Sequence, residues 1–170
     1  MNYFNLFDLP MSFSIDKDLL RKRYYALSRE SHPDNFTLDN LDDQTSALEK
    51  SSFINEGFKT LKDDMLRTKY LLELNGIKFE EGKESVPQEF LMEMMEVNEL
   101  IFDYKMDKSE EVKNAIQKRI KSIHLNIFVK VSEFINNFDF NNPNKKHLES
   151  IKDYYLKRKY LNRIENNFDN

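Results

Sequence analysis

Apolar residues recur at intervals of three and four along almost the whole chain, which is the spacing of amphipathic helices. Long stripes of this kind cover residues 16–31, 47–61, 87–105, 109–136 and 144–167. Only three glycines and four prolines interrupt the 170 residues, whereas folds rich in strands and loops need many more turn residues. The pattern therefore predicts an all-α fold.

Two shorter elements complete the first half of the chain. The aromatic-rich residues 3–9 predict a short helix that stops at Pro10, and residues 65–74 predict another that ends at Gly76. Gly57 lies inside a long helical stripe, where glycine costs about 1 kcal/mol relative to alanine. We therefore expect a neighbouring element to approach closely at Gly57.

The helical pattern lapses between the two halves. Residues 77–86 are rich in glutamate and contain a glycine, which predicts a linker between a domain of residues 1–76 and a domain of residues 87–170. Short connections between the three helices of the second domain predict antiparallel neighbours. The second domain is therefore expected to be a three-helix bundle.

The sequence also predicts how the first helix of this bundle begins and how the last one ends. Ser85 followed by Gln88, with Pro87 in the first turn, predicts a capping box that starts the first helix. The last helix runs into an asparagine-rich tail after Ile164, which we expect to fray.

Composition limits the classes of protein that fit. The net charge of −4 gives no strong attraction to nucleic acid or to anionic membranes, and no apolar run approaches the roughly 18 residues of a membrane span. The absence of cysteine excludes disulfides, thiolate-held zinc and thiolate-held iron–sulfur clusters. We expect no leader segment before the first predicted helix. We expect a soluble protein of the bacterial cytoplasm that holds no cofactor.

The tripeptide His32-Pro33-Asp34 separates the first two long stripes. Proline cannot continue a helix, and it disfavours the helical conformation of the residue before it, so a turn begins here. Two antiparallel helices, joined by a loop that begins with this tripeptide and preceded by a short N-terminal helix, resemble a J-domain.

The resemblance narrows to HscB, the J-type co-chaperone of iron–sulfur cluster assembly. The motifs that carry it are Tyr3-Phe4-Asn5-Leu6-Phe7-Asp8-Leu9-Pro10, His32-Pro33-Asp34-Asn35-Phe36, Leu66-Arg67-Thr68-Lys69-Tyr70-Leu71-Leu72 and Phe90-Leu91-Met92-Glu93. They span nearly the whole chain. The resemblance implies a J-domain at residues 1–76 and a scaffold-binding domain at residues 87–170.

The first partner that the resemblance implies is a DnaK-class ATPase chaperone, called HscA in this family. In J-domains the His-Pro-Asp tripeptide and the basic helix before it dock on this chaperone and trigger ATP hydrolysis. The corresponding residues of this chain are His32, Pro33 and Asp34 with Arg21, Lys22 and Arg29. A cationic helix face can steer association with an acidic partner.

This basic helix departs from the usual J-protein pattern at one place. Many J-proteins carry a basic pair just after the tyrosine of this helix, whereas this chain has Tyr25 and Ala26. The departure favours a specialised chaperone partner over a general DnaK.

The helix of residues 87–105 carries apolar residues on two faces. Five side chains lie within about 40° of one line, which is sufficient for a bundle core: Phe90, Met94, Val97, Ile101 and Tyr104. Leu91, Met95 and Phe102 lie roughly 100–140° away, on a second face. A three-helix bundle cannot easily bury both faces, so the second face either packs on the first domain or is an exposed binding site.

The family's scaffold-binding positions map largely onto this second face. The resemblance assigns binding of an IscU-type iron–sulfur scaffold to Leu91, Met92, Met95, Glu96, Glu99 and Tyr160. Methionine side chains adapt well to a partner surface, and the two glutamates would form a polar rim.

Other functions have less support. No nucleophile or glycine-rich pattern accompanies the tripeptide, and His124 and His147 share no metal-ligand spacing with it, so neither an enzyme nor a metal site is predicted. The basic stretches at residues 113–121 and 157–159 leave a helical RNA-binding protein as an alternative, although acids intersperse both and no stacking platform accompanies them. A general J-protein with a different client is the other alternative.

Overall fold

A computed structural model of the chain describes residues 2–31, 41–80 and 82–169, without the side chains of residues 41–44 and 169. This described part contains no strand, and its seven helices are α1 Tyr3–Leu6, α2 Lys17–Glu30, α3 Leu41–Lys62, α4 Asp64–Leu74, α5 Gln88–Asp107, α6 Glu110–Asn136 and α7 Lys145–Asp169. The all-α prediction is confirmed. Backbone contacts divide the chain into two compact units, with the boundary between Leu71 and Leu72.

In the first unit, α2 and α3 form an antiparallel pair. Lys17, at the start of α2, contacts Asp64, which follows α3, with 2.9 Å between Nζ and Oδ1. Tyr24, two turns further along α2, instead contacts α3 one or two turns before its end. Its hydroxyl donates to Asn55 Oδ1 at 2.9 Å, and its ring stacks on Phe58 with 4.1 Å between centroids. Because the contacts run in opposite directions along the two helices, this pair is the helical hairpin expected of a J-domain.

α1 packs against α3 at Gly57. A Cβ atom at position 57 would lie 2.8 Å from Tyr3 Cδ1 and 3.1 Å from Phe7 Cε2. The rings of Phe4 and Phe7 are almost completely buried, so α1 has little freedom to move away. The close approach expected at Gly57 is confirmed, and it explains why a poor helix former stands inside α3.

A buried arginine joins the segment before α2 to the corner between α3 and α4. Arg67 is 4% exposed, and its Nε and Nη2 donate to the carbonyl oxygen of Phe13 at 3.0 and 2.9 Å. Its Nη1 donates to the carbonyl oxygen of Leu61 at 2.6 Å, and its Nη2 also donates to Asp64 Oδ1 at 2.8 Å. Burial acts to raise the pKa of Asp64, but the hydrogen bonds from Lys17 and Arg67 outweigh it, so this pKa is lowered.

Replacing Arg67 with alanine is expected to lower the free energy of unfolding at pH 7 by about 2–4 kcal/mol, because two buried carbonyl oxygens lose charged donors. The loss should shrink on acidification. The pKa of the Asp64 carboxyl is lower in the folded protein than its unfolded value of about 4, so above pH 4 its ion pairs stabilise the fold. This contribution to stability is lost as the pH falls through the folded pKa. Urea unfolding of both proteins at several pH values measures the difference. A difference that stays constant down to the acid limit would contradict the role given to Asp64.

The second unit is a three-helix bundle in which α5, α6 and α7 all contact one another. Its core consists of apolar side chains at helical spacing on all three helices: Phe90, Met94, Val97, Ile101, Ile116, Ile120, Ile123, Ile127, Val131, Tyr154, Leu161, Ile164 and Phe168. The predicted bundle is confirmed, and so is the predicted core face of α5.

Two predicted helix ends in the second unit are wrong. Ser85 does not cap α5, because the N-cap residue is Pro87, whose φ of −55° and ψ of 145° are extended and which makes no side-chain capping hydrogen bond. A residue before proline also avoids the helical conformation, so the helix does not reach back toward Ser85.

The tail does not fray: α7 continues to Asp169, and Phe168 is buried with its ring 5.5 Å from that of Tyr104. Burial of Phe168 holds the last turn in place.

Parts of the segment predicted as a linker, residues 77–86, contact α7. Lys152 Nζ donates to the carbonyl oxygen of Lys78 at 3.1 Å. The ring of Phe79 meets that of Tyr155 edge-on, with 5.3 Å between centroids. These contacts attach the start of the segment to the bundle, while the domain ranges drawn from the sequence remain predictions.

Candidate protein-binding surfaces

Helix α5 carries apolar side chains on two sides, but the bundle buries only one of them. Met94 is completely buried, whereas Met95, the next residue and 100° further round the helix, is 63% exposed. Met92 and Phe102 are exposed to a similar extent, at 59% and 67%. The second face predicted for this helix therefore lies open to solvent.

We call this exposed side of the helix the α5 outer face; it comprises Leu91, Met92, Met95, Glu96, Glu99 and Phe102. Leu91 is half-buried and the other five are exposed. Phe102 was not among the predicted scaffold-binding residues, although its helical position had already placed it on this face. Exposed apolar side chains clustered on one helix face are typical of a protein-binding surface.

Acidic side chains border the apolar part of the face. Arg119 of α6 lies 3.0 Å from Glu93 and 3.8 Å from Glu96, which fixes one edge of the face to the neighbouring helix. Glu99 lies further along, beside Met95 and Phe102 in a shallow depression. The sequence placed Arg119 only in a basic stretch and not beside α5, because the alignment of α6 against α5 cannot be read from the spacing within either helix.

Tyr160 lies on α7 and packs against the bundle core. It is half-buried, its ring meets that of Phe90 edge-on with 6.3 Å between centroids, and the Arg163 guanidinium lies 4.7 Å above it. These contacts place Tyr160 beside the first turn of α5. Its assignment to scaffold binding remains a prediction.

Helix α2 presents positive charge on its surface. Arg21, Lys22 and Arg29 are all exposed. Arg21 Nη1 lies 3.5 Å from Asp18 Oδ1, one turn earlier on the same helix, and both side chains remain largely accessible to water. Such an exposed ion pair contributes little energy, so Arg21 stays available to a partner.

The tripeptide His32-Pro33-Asp34 lies outside the described residues, so its predicted role remains a prediction. Helix α2 ends at Glu30, two residues before His32. The cationic residues of α2 therefore lie on the helix that leads directly into the tripeptide.

The described residues give little support to a metal site or to a basic nucleic-acid-binding face. Within the described ranges no group of three His, Cys, Asp or Glu side chains could hold a metal ion, and His124 contacts a single carboxylate, that of Glu165, at 3.2 Å. Of the basic stretches, Lys113 and Lys157 pair with acids of their own helices, as Arg119 does with acids of α5. No helix in the described part of the chain is long and apolar enough to cross a membrane.

Comparison with known proteins identifies the family. A family model described as the HSCB C-terminal oligomerisation domain matches residues 86–169. The chain is 38% identical over 122 residues to the co-chaperone protein HscB homolog of Haemophilus influenzae, covering 71% of this chain and 70% of that protein. It is 41% identical over 100 residues to the homolog of Vibrio cholerae, and this match spans only 58% of that relative's length.

A solved structure agrees over nearly the full length. The structure of chaperone HscB from Vibrio cholerae superposes with a TM-score of 0.80 at 27% identity, covering 99% of this chain and 96% of that one. The relatives from Haemophilus influenzae and Vibrio cholerae are both named as co-chaperones. With a J-type hairpin in the first unit and a matching bundle in the second, the chain belongs to the HscB family of co-chaperones.

Proposed function

We propose that this protein is an adaptor for iron–sulfur cluster assembly in the bacterial cytoplasm. The first unit recruits an HscA-like chaperone of the DnaK class and stimulates its ATP hydrolysis through His32, Pro33 and Asp34 and the basic face of α2. The second unit binds an IscU-type scaffold through the α5 outer face and Tyr160. Delivery of the scaffold to the chaperone then favours transfer of the cluster to acceptor proteins.

The observation that carries this proposal is the exposure of the α5 outer face. Met92, Met95 and Phe102 are each more than half exposed, next to a core that is already complete on the other side of the same helix. Leaving such side chains in water forgoes the roughly 1.5–3 kcal/mol that burial of each would contribute. A partner that covers them recovers part of that energy.

The alternative is a general J-protein whose bundle binds a different client. Both proposals use the α5 outer face, but they differ in its occupant. The acidic border of the face supports a partner with complementary basic groups, and an IscU-type scaffold is the partner implied by the family.

The proposed function is tested by the ATPase rate of a purified HscA-like chaperone. We expect the protein alone to raise the rate and the protein together with an IscU-type scaffold to raise it further. Stimulation that the scaffold leaves unchanged, with equal or better stimulation by an unrelated client, would favour the general J-protein.

Charge on α2 is expected to control how fast the chaperone associates. Reversal of Arg21, Lys22 and Arg29 to glutamate should lower the association rate constant by about tenfold or more at low ionic strength, because electrostatic steering is lost. The effect should fade at high salt, where screening already removes the attraction. Stopped-flow or biosensor kinetics at two salt concentrations measure both values.

A matched control separates local from overall charge. Reversal of Lys130, Lys145 and Lys146, which are exposed on the second unit, changes the net charge equally and should alter association much less. Equal slowing by both triple variants would mean that net charge acts, and that the α2 face does not.

A further inference from the structure

The two adjacent tyrosines of α2 have different environments. Tyr24 is part of the first unit's packing, since its hydroxyl donates to Asn55 and its ring stacks on Phe58. Tyr25 is 60% exposed, and its ring lies 5.5 Å from that of Tyr24 at an interplanar angle of 55°. Tyr24 therefore stabilises the packing of α2 on α3, whereas most of the Tyr25 side chain is in contact with water.

Tyr25 lies in the middle of the cationic face. It follows Arg21 by four residues and precedes Arg29 by four, so the three side chains form one strip along just over two turns of the helix. Lys22 lies three residues before Tyr25 and borders the same strip. All four side chains are exposed. One surface of α2 thus presents an aromatic ring with an arginine on either side of it.

An exposed tyrosine flanked by arginines is typical of a protein-binding surface. Tyrosine and arginine are the residue types enriched among those that dominate binding energy, and central aromatic anchors act by filling a desolvated pocket. Charges at the rim act mainly on the rate of encounter. The partner that matches this face carries an apolar recess bordered by carboxylates.

We propose that Tyr25 is the aromatic anchor of the chaperone-binding face and a determinant of chaperone specificity. The inference rests on the proposed function, because the occupant of the face is the DnaK-class chaperone. The ring enters an apolar recess of the chaperone, while Arg21, Lys22 and Arg29 meet acidic groups around it. A chaperone that lacks the recess gains nothing from Tyr25.

The test is a kinetic comparison with a purified HscA-like chaperone and with a general DnaK, each in the presence of ATP. Tyr25→Ala should raise the dissociation rate constant from the HscA-like chaperone about tenfold or more, as expected for loss of an interface anchor. The association rate constant should change less than about threefold, at low and at high salt, since steering depends on the charges. Affinity for the general DnaK should stay within about twofold.

Two further variants sharpen the comparison. Tyr25→Phe keeps the ring and should retain most of the slow dissociation. Leu48→Ala removes an apolar side chain of similar exposure, 58%, from a different helix, α3, and should leave both rate constants unchanged. Thermal melts of all variants confirm that the folded state is intact, which Tyr25 is expected to allow because it is exposed.

The outcomes distinguish this inference from the proposed function. An unchanged dissociation rate for Tyr25→Ala, an equal effect of Leu48→Ala, or an equal loss of affinity for both chaperones would overturn the inference. If His32→Gln still abolishes ATPase stimulation in those cases, the proposed function stands without it. If His32→Gln has no effect either, the proposed function itself fails.

Discussion

His32→Gln is expected to abolish stimulation of the chaperone's ATPase and return hydrolysis to the basal rate of the chaperone alone. The sequence predicts His32 in the turn after α2, where the side chain contributes to docking and not to the core. Helicity and thermal stability of the variant should therefore match those of the wild type. Binding of the scaffold should also be unchanged, because the α5 outer face is intact.

Steady-state ATPase assays, circular dichroism and scaffold titration together measure these three properties. A variant that unfolds, or that melts well below the wild type, would show that His32 is a structural turn residue. A stably folded variant with full stimulation would remove the tripeptide from the chaperone-binding surface.

Simultaneous replacement of Leu91, Met92 and Met95 by alanine is expected to weaken scaffold binding by about 3 kcal/mol or more, which is a loss of affinity of over 100-fold. Met92 and Met95 are mostly exposed and Leu91 is half-buried, so their truncation should cost the free protein little stability. Stimulation of the chaperone without scaffold should stay near the wild-type level. The additional stimulation that depends on scaffold should disappear.

Met94 and Met95 provide a matched control, since they are the same residue type at adjacent positions of α5. Met94 is completely buried, and Met94→Ala should lower the free energy of unfolding by about 2–5 kcal/mol through loss of core packing. Met95→Ala should instead lower scaffold affinity with little change in stability. Calorimetric titration and thermal melts of both variants measure the contrast. The reverse result would mean that the two faces of α5 have been assigned backwards.

Helical periodicity predicted the fold and both faces of α5 because each is a local property of the sequence. Phe90, Val97 and Ile101 recur at intervals that place them on one side of a helix, and the structure buries them. Gly57 likewise signalled a close contact before its partners, Tyr3 and Phe7, were known. A poor helix former inside a strong helical stripe requires a reason, and here the reason is steric.

Contacts between distant residues could not be predicted in this way. Arg67 was recognised only as part of a family motif, yet it joins Phe13 to Leu61 through buried hydrogen bonds. Similarly, Arg119 reaches Glu93 and Glu96 only because α6 packs beside α5 in one particular alignment. Spacing within a single helix carries no information about either contact.

The two wrong helix ends show where local rules compete. Ser85 has the right spacing to Gln88 for a capping box. However, Pro87 is extended and is itself the N-cap residue of α5, so Ser85 lies two residues too early to cap the helix. The asparagines near the C-terminus disfavour a helix, but burial of Phe168 outweighs them. At the start of α5, backbone geometry overrides a sequence motif. At the end of α7, packing overrides local preference.

The adaptor mechanism requires one molecule to hold both partners at once, and a mixing experiment tests this requirement. His32→Gln retains scaffold binding and the Leu91/Met92/Met95 triple variant retains the chaperone contact, so together they supply both activities on separate chains. We predict that an equimolar mixture gives only the stimulation of the triple variant, with no increment from the scaffold in the ATPase rate. A mixture that restores the full scaffold-dependent increment would show that the two activities work without a shared chain, and would contradict the adaptor mechanism.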